Sequence, residues 1–145
     1  MAGESTFPFE ILTLQKSFLR EEVVFVIAPG QEGVFEILAH HAPYVFALKP
    51  GPLRMKMPDG RDRYVSVGGG FLVVQKERTT VLTRSAEHPG EIDVARAQRA
   101  KERAEQRLAN RVDVDIVRVH AALQRALARL QVAEYAPAEG LLTGS

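Results

Sequence analysis

The sequence predicts an α+β protein in which an antiparallel β-sandwich or barrel is followed by an antiparallel two-helix hairpin. In residues 7–84, short runs rich in valine, isoleucine and phenylalanine alternate with turn residues, and all seven phenylalanines fall at or before Phe71. Residues 91–134 contain no proline, glycine, phenylalanine, tyrosine or tryptophan. We therefore expect a strand-rich domain in residues 1–87, and a linker with the hairpin in residues 88–145 that ends in a flexible tail from residue 136.

The first half is expected to contain seven short strands, nearly all of which are separated by turn signals such as Pro29-Gly30, Pro50-Gly51 or Gly68-Gly69-Gly70. Short strands with a turn every ten or so residues are typical of antiparallel sheets packed around one core. The expected strands are FEILTL (9–14), VVFVIA (23–28), VFEIL (34–38), YVFALK (44–49), YVSV (64–67), FLVVQ (71–75) and TTVLT (79–83).

The second half is expected to form two helices after a linker at residues 85–91. Asp93 is the expected N-cap of the first helix, with its carboxylate accepting from the amide of Ala95 or Arg96. A tight turn at residues 109–115 precedes a second helix, from about Asp113 to Glu134. Isolated helices of this length are marginally stable in water, so the hairpin depends on what it packs against.

Each helix has an apolar stripe and a line of arginines when its residues are placed 100° apart. The expected apolar stripes are Ala97, Ala100, Ala104 and Leu108 on the first helix, and Ile116, Leu123, Leu127 and Leu130 on the second. The arginine lines are Arg96, Arg99, Arg103 and Arg107 on the first helix, and Arg118, Arg125 and Arg129 on the second. Because alanine buries little apolar area, we expect the hairpin to be weakly docked, and therefore to move or to be held by another molecule.

Composition excludes several classes of function. The formal net charge is +1, with 19 basic and 18 acidic residues, so bulk attraction to nucleic acid or to an anionic membrane has no support. The chain has no cysteine, which excludes disulfides, thiolate catalysis and cysteine-ligated zinc. No apolar run approaches the ~20 residues of a membrane span, and the N-terminus lacks the pattern of a secretion signal. We therefore expect any membrane association to occur through another protein.

Catalytic and metal constellations are not expected. His40 and His41 are adjacent, so in an extended chain their side chains point to opposite faces and do not share a metal. His120 is expected on or beside the apolar stripe of the second helix. No serine or threonine lies in a nucleophile elbow, and the three glycines from Gly68 precede a strand rather than the helix of a phosphate loop. A free-standing β-sandwich enzyme is therefore disfavoured.

The arginine lines allow two interpretations. Guanidinium groups are forked, permanently charged donors suited to phosphate, so the two lines could close around a polyphosphate while Glu87 and Asp93 hydrogen-bond a base or ribose. They could also form a solvated face, with pairs such as Arg99 and Glu102 contributing ~0.2–0.5 kcal/mol each. The residues alone leave both interpretations open.

Six motifs, in order along residues 7–135, resemble the epsilon chains of bacterial F-type ATP synthases, the counterparts of the mitochondrial delta chain. The motifs are PGQEGVFEILAHHAP (29–43), ALKPGPLRM (47–55), VSVGGGFLVV (65–74), TVLTRSAE (80–87), IDVARA (92–97) and ALQRALARLQVAE (122–134). The resemblance implies a β-sandwich of about ten strands followed by a helical hairpin. The chain departs from the family pattern at Glu36, Ala39 and His40, which implies a different shape for that loop.

The resemblance also implies a non-catalytic subunit of the rotating central stalk, at the cytoplasmic face of the bacterial membrane. Its implied partners are the gamma chain, the cytoplasmic loops of the c-ring and, when the hairpin extends, the alpha and beta chains. The extended hairpin of the family blocks rotation in the hydrolysis direction. The implied c-ring contact consists of Val34, Phe35, Glu36 and His41.

Some family members bind ATP on the folded hairpin through an I/L-D-x-x-R-A motif, and this chain matches it. The resemblance implies no cofactor other than ATP as a regulatory ligand, and no metal. A purely structural coupling subunit that does not bind ATP is the alternative. The implied ATP-binding residues are Glu87, Ile92, Asp93, Arg96, Ala97, Arg103, Arg125 and Arg129.

Overall fold

The computed structural model describes residues 5–110 and 114–136, which form a strand-rich domain followed by two helices. The expected flexible tail lies, apart from Ala136, outside the described residues, as does the centre of the expected turn between the helices. The strands are β1 Phe7–Leu12, β2 Ser17–Val23, β3 Phe25–Gly30, β4 Gly33–Leu38, β5 Tyr44–Lys56, β6 Asp62–Val74, β7 Thr79–Leu82 and β8 Ala86–Glu87. The helices are α1 Val94–Asn110 and α2 Ile116–Ala133.

The strands follow the order β2-β1-β7-β6-β5-β3-β4, with β8 paired to β6. Neighbouring strands are antiparallel except β1 and β7, which pair in parallel with Phe9 opposite Thr79. The inward-facing side chains form one core, whose largest fully buried members are Phe9, Ile11, Ile37, Leu53, Met55 and Leu72. The expected class, a strand domain followed by a helical hairpin, is confirmed.

Two of the expected breaks between strands, at Pro50-Gly51 and at Gly68-Gly69-Gly70, are wrong, because β5 and β6 each continue through them for 13 residues. Pro50 lies opposite Gly68 and Leu48 lies opposite Gly70, so the two strands stay paired across this region. Gly69 and Gly70 have φ of 92° and 115°, which bends β6 without ending it. Its first part pairs with β8 and its last part with β7. About ten strands were expected, and the structure has eight in the described residues. The difference arises because β5 and β6 each replace two shorter strands.

Two further segments differ from expectation. Strand β2 was not expected, because SFLREEV carries four polar residues; it pairs with β1, and Leu19 and Val23 supply its buried side chains. The expected linker at residues 85–91 contains β8 and a 3-10 turn, Pro89–Glu91. That turn begins with a proline, whose fixed φ suits the first position of a helical turn.

Both helices begin at an aspartate. Asp93 Oδ1 accepts from the backbone amide of Arg96 at 3.0 Å, which confirms the expected N-cap. Asp115 Oδ1 accepts from the backbone amide of Arg118 at 3.2 Å, so α2 begins two to three residues later than expected. In α1 the alanine stripe is confirmed, since Ala97 and Ala104 are buried.

The expected apolar stripe of α2 is only partly right, since Leu123 and Leu130 are half-buried while the other two members are exposed. The buried residues are Val119, Ala126, Ala128 and Val132, whereas Ile116 and Leu127 are 50% and 43% exposed and His120 is also exposed. At 100° per residue the buried residues fall into two arcs roughly 120–180° apart. The physical reason is that α2 packs against α1 on one side and against β5 and β6 on the other. Small residues are favoured on both sides because α2 has two close neighbours.

Two contacts hold the end of α2 against the strand domain. The rings of Tyr64 on β6 and Tyr135 are stacked, with centroids 3.6 Å apart. Burial, and then the hydrogen bond with Tyr135, raises the pKa of the Tyr64 phenol. Arg129 on α2 forms an ion pair with Glu87 on β8. Since both contacts lie toward the C-terminal end of α2, they hold that end of the hairpin against the strand domain, close to the linker.

Candidate functional site

A groove of about 700 Å³ opens where the strand domain, the linker and both helices meet. Strand β8 contributes Glu87, the start of α1 contributes Asp93, and α2 contributes Arg129. We call this the linker groove. Its lining residues are Glu87, Glu91, Asp93, Arg96, Ala97, Arg99, Ala100, Arg103 and Arg129.

The linker groove has both donors for phosphate and acceptors for a nucleoside. Arg96 and Arg103 lie seven residues apart on α1, two helical turns along one face, and both are exposed. The carboxylates of Glu87 and Asp93 can accept hydrogen bonds from amino or hydroxyl groups. The volume is within the ~300–1,000 Å³ range of small-molecule pockets. The groove therefore suits an anion that carries a polar, uncharged end.

Glu87 and Arg129 are paired with each other across the groove. Glu87 Oε1 accepts a hydrogen bond from Arg129 Nε, and the two side chains are 31% and 33% exposed. The terminal nitrogens of Arg129 have no further partner in residues 5–110 and 114–136. The pair orients the guanidinium while leaving donors available, and it also ties α2 to β8.

Two sequence-predicted ATP residues do not line this groove. Ile92 is 8% exposed and follows the 3-10 turn as a buried apolar residue. Arg125 lines a second groove of about 740 Å³ between α1 and α2, close to their connection. We call this the interhelical groove; it shares Ala100 and Arg103 with the linker groove. The other expected residues, Glu87, Asp93, Arg96, Ala97, Arg103 and Arg129, are brought together in the linker groove.

Sequence reasoning did not assign Glu91 and Arg99 to the ATP site, although both line the linker groove. Arg99 lies three residues after Arg96, so its place in the arginine line of α1 was the available signal. Glu91 was expected only as the last residue of the linker. It instead closes the 3-10 turn, and its side chain accepts from the backbone amide of His88 at 3.0 Å.

The expected c-ring residues lie on β4 and in the loop that follows it. Strand β4 is at the end of the strand order, so one of its edges is unpaired in the described residues. Val34 is 71% exposed, and Glu36 and His41 are also exposed. Phe35 is half-buried and stacks on Phe46 at 4.1 Å. This arrangement leaves an apolar and a charged side chain open to a partner on one edge.

Within the described residues, no group of three or more histidine, aspartate or glutamate side chains is arranged to hold a metal ion. No helix in residues 5–110 and 114–136 is long and apolar enough to span a membrane.

Comparison with known proteins shows the family. Residues 6–89 match the β-sandwich domain of the ATP synthase delta/epsilon chain, and residues 91–134 match its long α-helix domain. The chain is 46% identical over 133 residues to an ATP synthase epsilon chain of Syntrophomonas wolfei, covering 91% of this chain and 97% of that one. It is 49% identical over 126 residues to an ATP synthase epsilon chain of Syntrophobacter fumaroxidans, covering 86% and 93%.

Solved structures show the same fold at low sequence identity. A chain in the cryo-EM structure of the Euglena gracilis mitochondrial ATP synthase (OSCP/F1/c-ring) aligns with a TM-score of 0.76 and 23% identity, covering 92% of this chain and 87% of that chain. A chain of the Tetrahymena thermophila mitochondrial ATP synthase aligns with a TM-score of 0.59 and 16% identity, covering 92% and 97%. On the two domain matches and the close bacterial relatives, the chain belongs to the delta/epsilon family of ATP synthase chains.

Proposed function

We propose that this chain is a non-catalytic rotor subunit of the central stalk, which couples the catalytic head to the c-ring and inhibits ATP hydrolysis through a mobile hairpin. Its sandwich binds the gamma chain and the c-ring loops, and its hairpin contacts the alpha and beta chains when extended. The complex places it at the cytoplasmic face of the bacterial membrane. ATP is a regulatory ligand that binds the docked hairpin.

The observation that best supports an ATP site is the set of residues that line the linker groove. Glu87 comes from the sandwich, Arg96 and Arg103 from α1, and Arg129 from α2. These side chains surround one space only while the hairpin is docked. A ligand that requires all of them therefore binds the docked form in preference to the extended one.

The docking surface is consistent with such a switch. The buried side chains of the hairpin are mainly alanine and valine, which at ~25 cal/mol per Å² contribute less than leucine or phenylalanine would. A ligand that binds only the docked form adds RT ln(1 + [L]/Kd), about 2.7 kcal/mol at a hundred times Kd. That contribution is large enough to change which form of a weakly docked hairpin dominates.

Titration of the purified chain with ATP tests the site. Losing one forked arginine–phosphate contact costs ~1.5–3 kcal/mol, so Arg96→Ala and Arg103→Ala should weaken ATP binding roughly ten- to a hundredfold. Arg20→Ala is the matched control, since Arg20 is an exposed arginine on β2 that does not line the groove. If both groove variants bind ATP as tightly as the parent, the nucleotide site is wrong.

A purely structural coupling subunit is the second candidate. It is favoured by the exposure of Arg96 and Arg103, which would serve equally well as a solvated face or as contacts for acidic surfaces of the catalytic head. That candidate predicts no saturable ATP binding to the isolated chain, so the same titration separates the two.

A further inference from the structure

The interhelical groove is lined by four arginines, two from each helix: Arg103, Arg107, Arg118 and Arg125. We propose that it is a second phosphate site, in which Arg107 and Arg118 bind a phosphoryl group at the far end of the hairpin from the linker. Neither residue belongs to the linker groove or to the ATP residues implied by family resemblance.

The charge of the interhelical groove is unbalanced. Among the described residues, its lining contains four guanidinium groups and one carboxylate, Asp115, which together give a formal charge of +3. The Asp115 carboxylate already caps α2 through Arg118 N–H. None of the four arginines forms an ion pair with a carboxylate in the part of the chain that the structure describes. Like charges gathered around one space repel, and a bound anion removes that repulsion.

The position of Arg118 is not explained by helix stability. It is the third residue of α2, where the helix dipole is positive and a cation is disfavoured. Arg107 lies in the last turn of α1, where a cation is favoured. A phosphate between them is attracted by both guanidinium groups and by the positive end of α2. An anion thus accounts for an arginine that the helix itself disfavours.

The phosphoryl group could come from either of two sources. The two grooves meet at Ala100 and Arg103, so the terminal phosphates of a nucleotide in the linker groove could extend into the interhelical groove. In this form the inference rests on the proposed ATP site. At 1.5 Å per residue, Arg107 lies ~21 Å along α1 from Asp93, far enough for a separate free phosphate or pyrophosphate.

The test uses the full-length chain with Arg107→Gln and Arg118→Gln, titrated separately with ATP, AMP and pyrophosphate. If the site takes nucleotide phosphates, each variant weakens ATP binding about tenfold or more and leaves AMP binding unchanged. If it takes a free anion, each variant weakens pyrophosphate binding by a similar factor and leaves ATP binding unchanged. Arg20→Gln is the control for loss of one exposed positive charge.

The proposal is overturned if neither variant changes the affinity for ATP or pyrophosphate, or if Arg20→Gln has the same effect as both. Far-UV circular dichroism of the variants verifies that the helices are intact. Arg96→Gln separates this proposal from the ATP site, because Arg96 lines the linker groove only. Failure of ATP to bind, together with pyrophosphate binding that depends on Arg118, would contradict the ATP site and support the second groove.

Discussion

At the scale of single residues, His88 lies where the sandwich ends and the linker begins. Its half-buried ring stacks on Phe18 of β2 with centroids 4.4 Å apart. Burial lowers the pKa of His88 below its ordinary value of 6.5, and the positive charges of Arg63 and Lys16 lower it further, whereas Glu91 opposes the shift. Protonation is therefore less favourable in the folded linker than in the unfolded chain.

His88 should make the stability of the fold depend on pH. Because its pKa is lower in the folded state, its contribution is present above pH 6.5 and is lost as the pH falls from 6.5 toward the folded pKa. Thermal unfolding at pH 7.5 and 5.5 measures this loss. His88→Phe keeps an aromatic ring against Phe18 and should reduce the pH dependence, whereas His120→Gln, at an exposed histidine, should not. Equal pH dependence in His88→Phe and the parent would contradict the assignment.

At the scale of elements, α1 was more predictable from sequence than α2. The alanine stripe of α1 follows from a single periodicity, because α1 packs chiefly against α2. Helix α2 packs against two neighbours, so its buried residues form two arcs, and a search for one apolar stripe selected Leu127, which is exposed. The continuity of β5 and β6 also depends on pairing between distant residues, such as Pro50 with Gly68. Local turn signals contain no information on that pairing.

The ring stack between Tyr64 and Tyr135 should contribute to the docking of α2. An aromatic pair adds ~0.5–1.5 kcal/mol beyond the area it buries, so Tyr135→Ala should speed amide hydrogen exchange in α2 by at least two- to tenfold. Tyr135→Phe retains the ring and should keep most of the protection. Unchanged exchange in Tyr135→Ala would show that other contacts hold the helix.

At the scale of the whole molecule, the sandwich and the hairpin are joined mainly through α2, and the linker groove lies at that junction. Most of the groove was predictable because a local motif supplies Asp93, Arg96 and Ala97, and helical spacing adds Arg103. The position of Glu91 in the groove and the ion pair between Glu87 and Arg129 depend on how the linker and α2 pack against β8. No local sequence pattern specifies that packing. Arg125 lines the interhelical groove instead, because its position also depends on how α2 packs against its neighbours.

The edge of the sandwich formed by β4 should govern coupling to the membrane sector. Glu36→Arg and His41→Ala change exposed side chains on and after β4, so they should weaken ATP-driven proton pumping while the sandwich stays folded. Pumping in membrane vesicles carrying the variant complex measures the effect, and circular dichroism of the isolated variants verifies the fold. Arg20→Ala, on β2 at the other end of the strand order, is the control. Unchanged pumping in both variants would place the c-ring contact elsewhere.

The central claim, that a hairpin docked by ATP controls hydrolysis, is tested most directly by the ATPase rate of the assembled enzyme with the intact chain and with a chain ending at residue 90. The truncated chain keeps every strand of the sandwich and loses both helices. We expect assembly to be retained and hydrolysis to be faster in the truncated complex, with the largest difference at low ATP, where the intact hairpin is released. A truncated complex that hydrolyses ATP no faster than the intact one at any ATP concentration would contradict the inhibitory role.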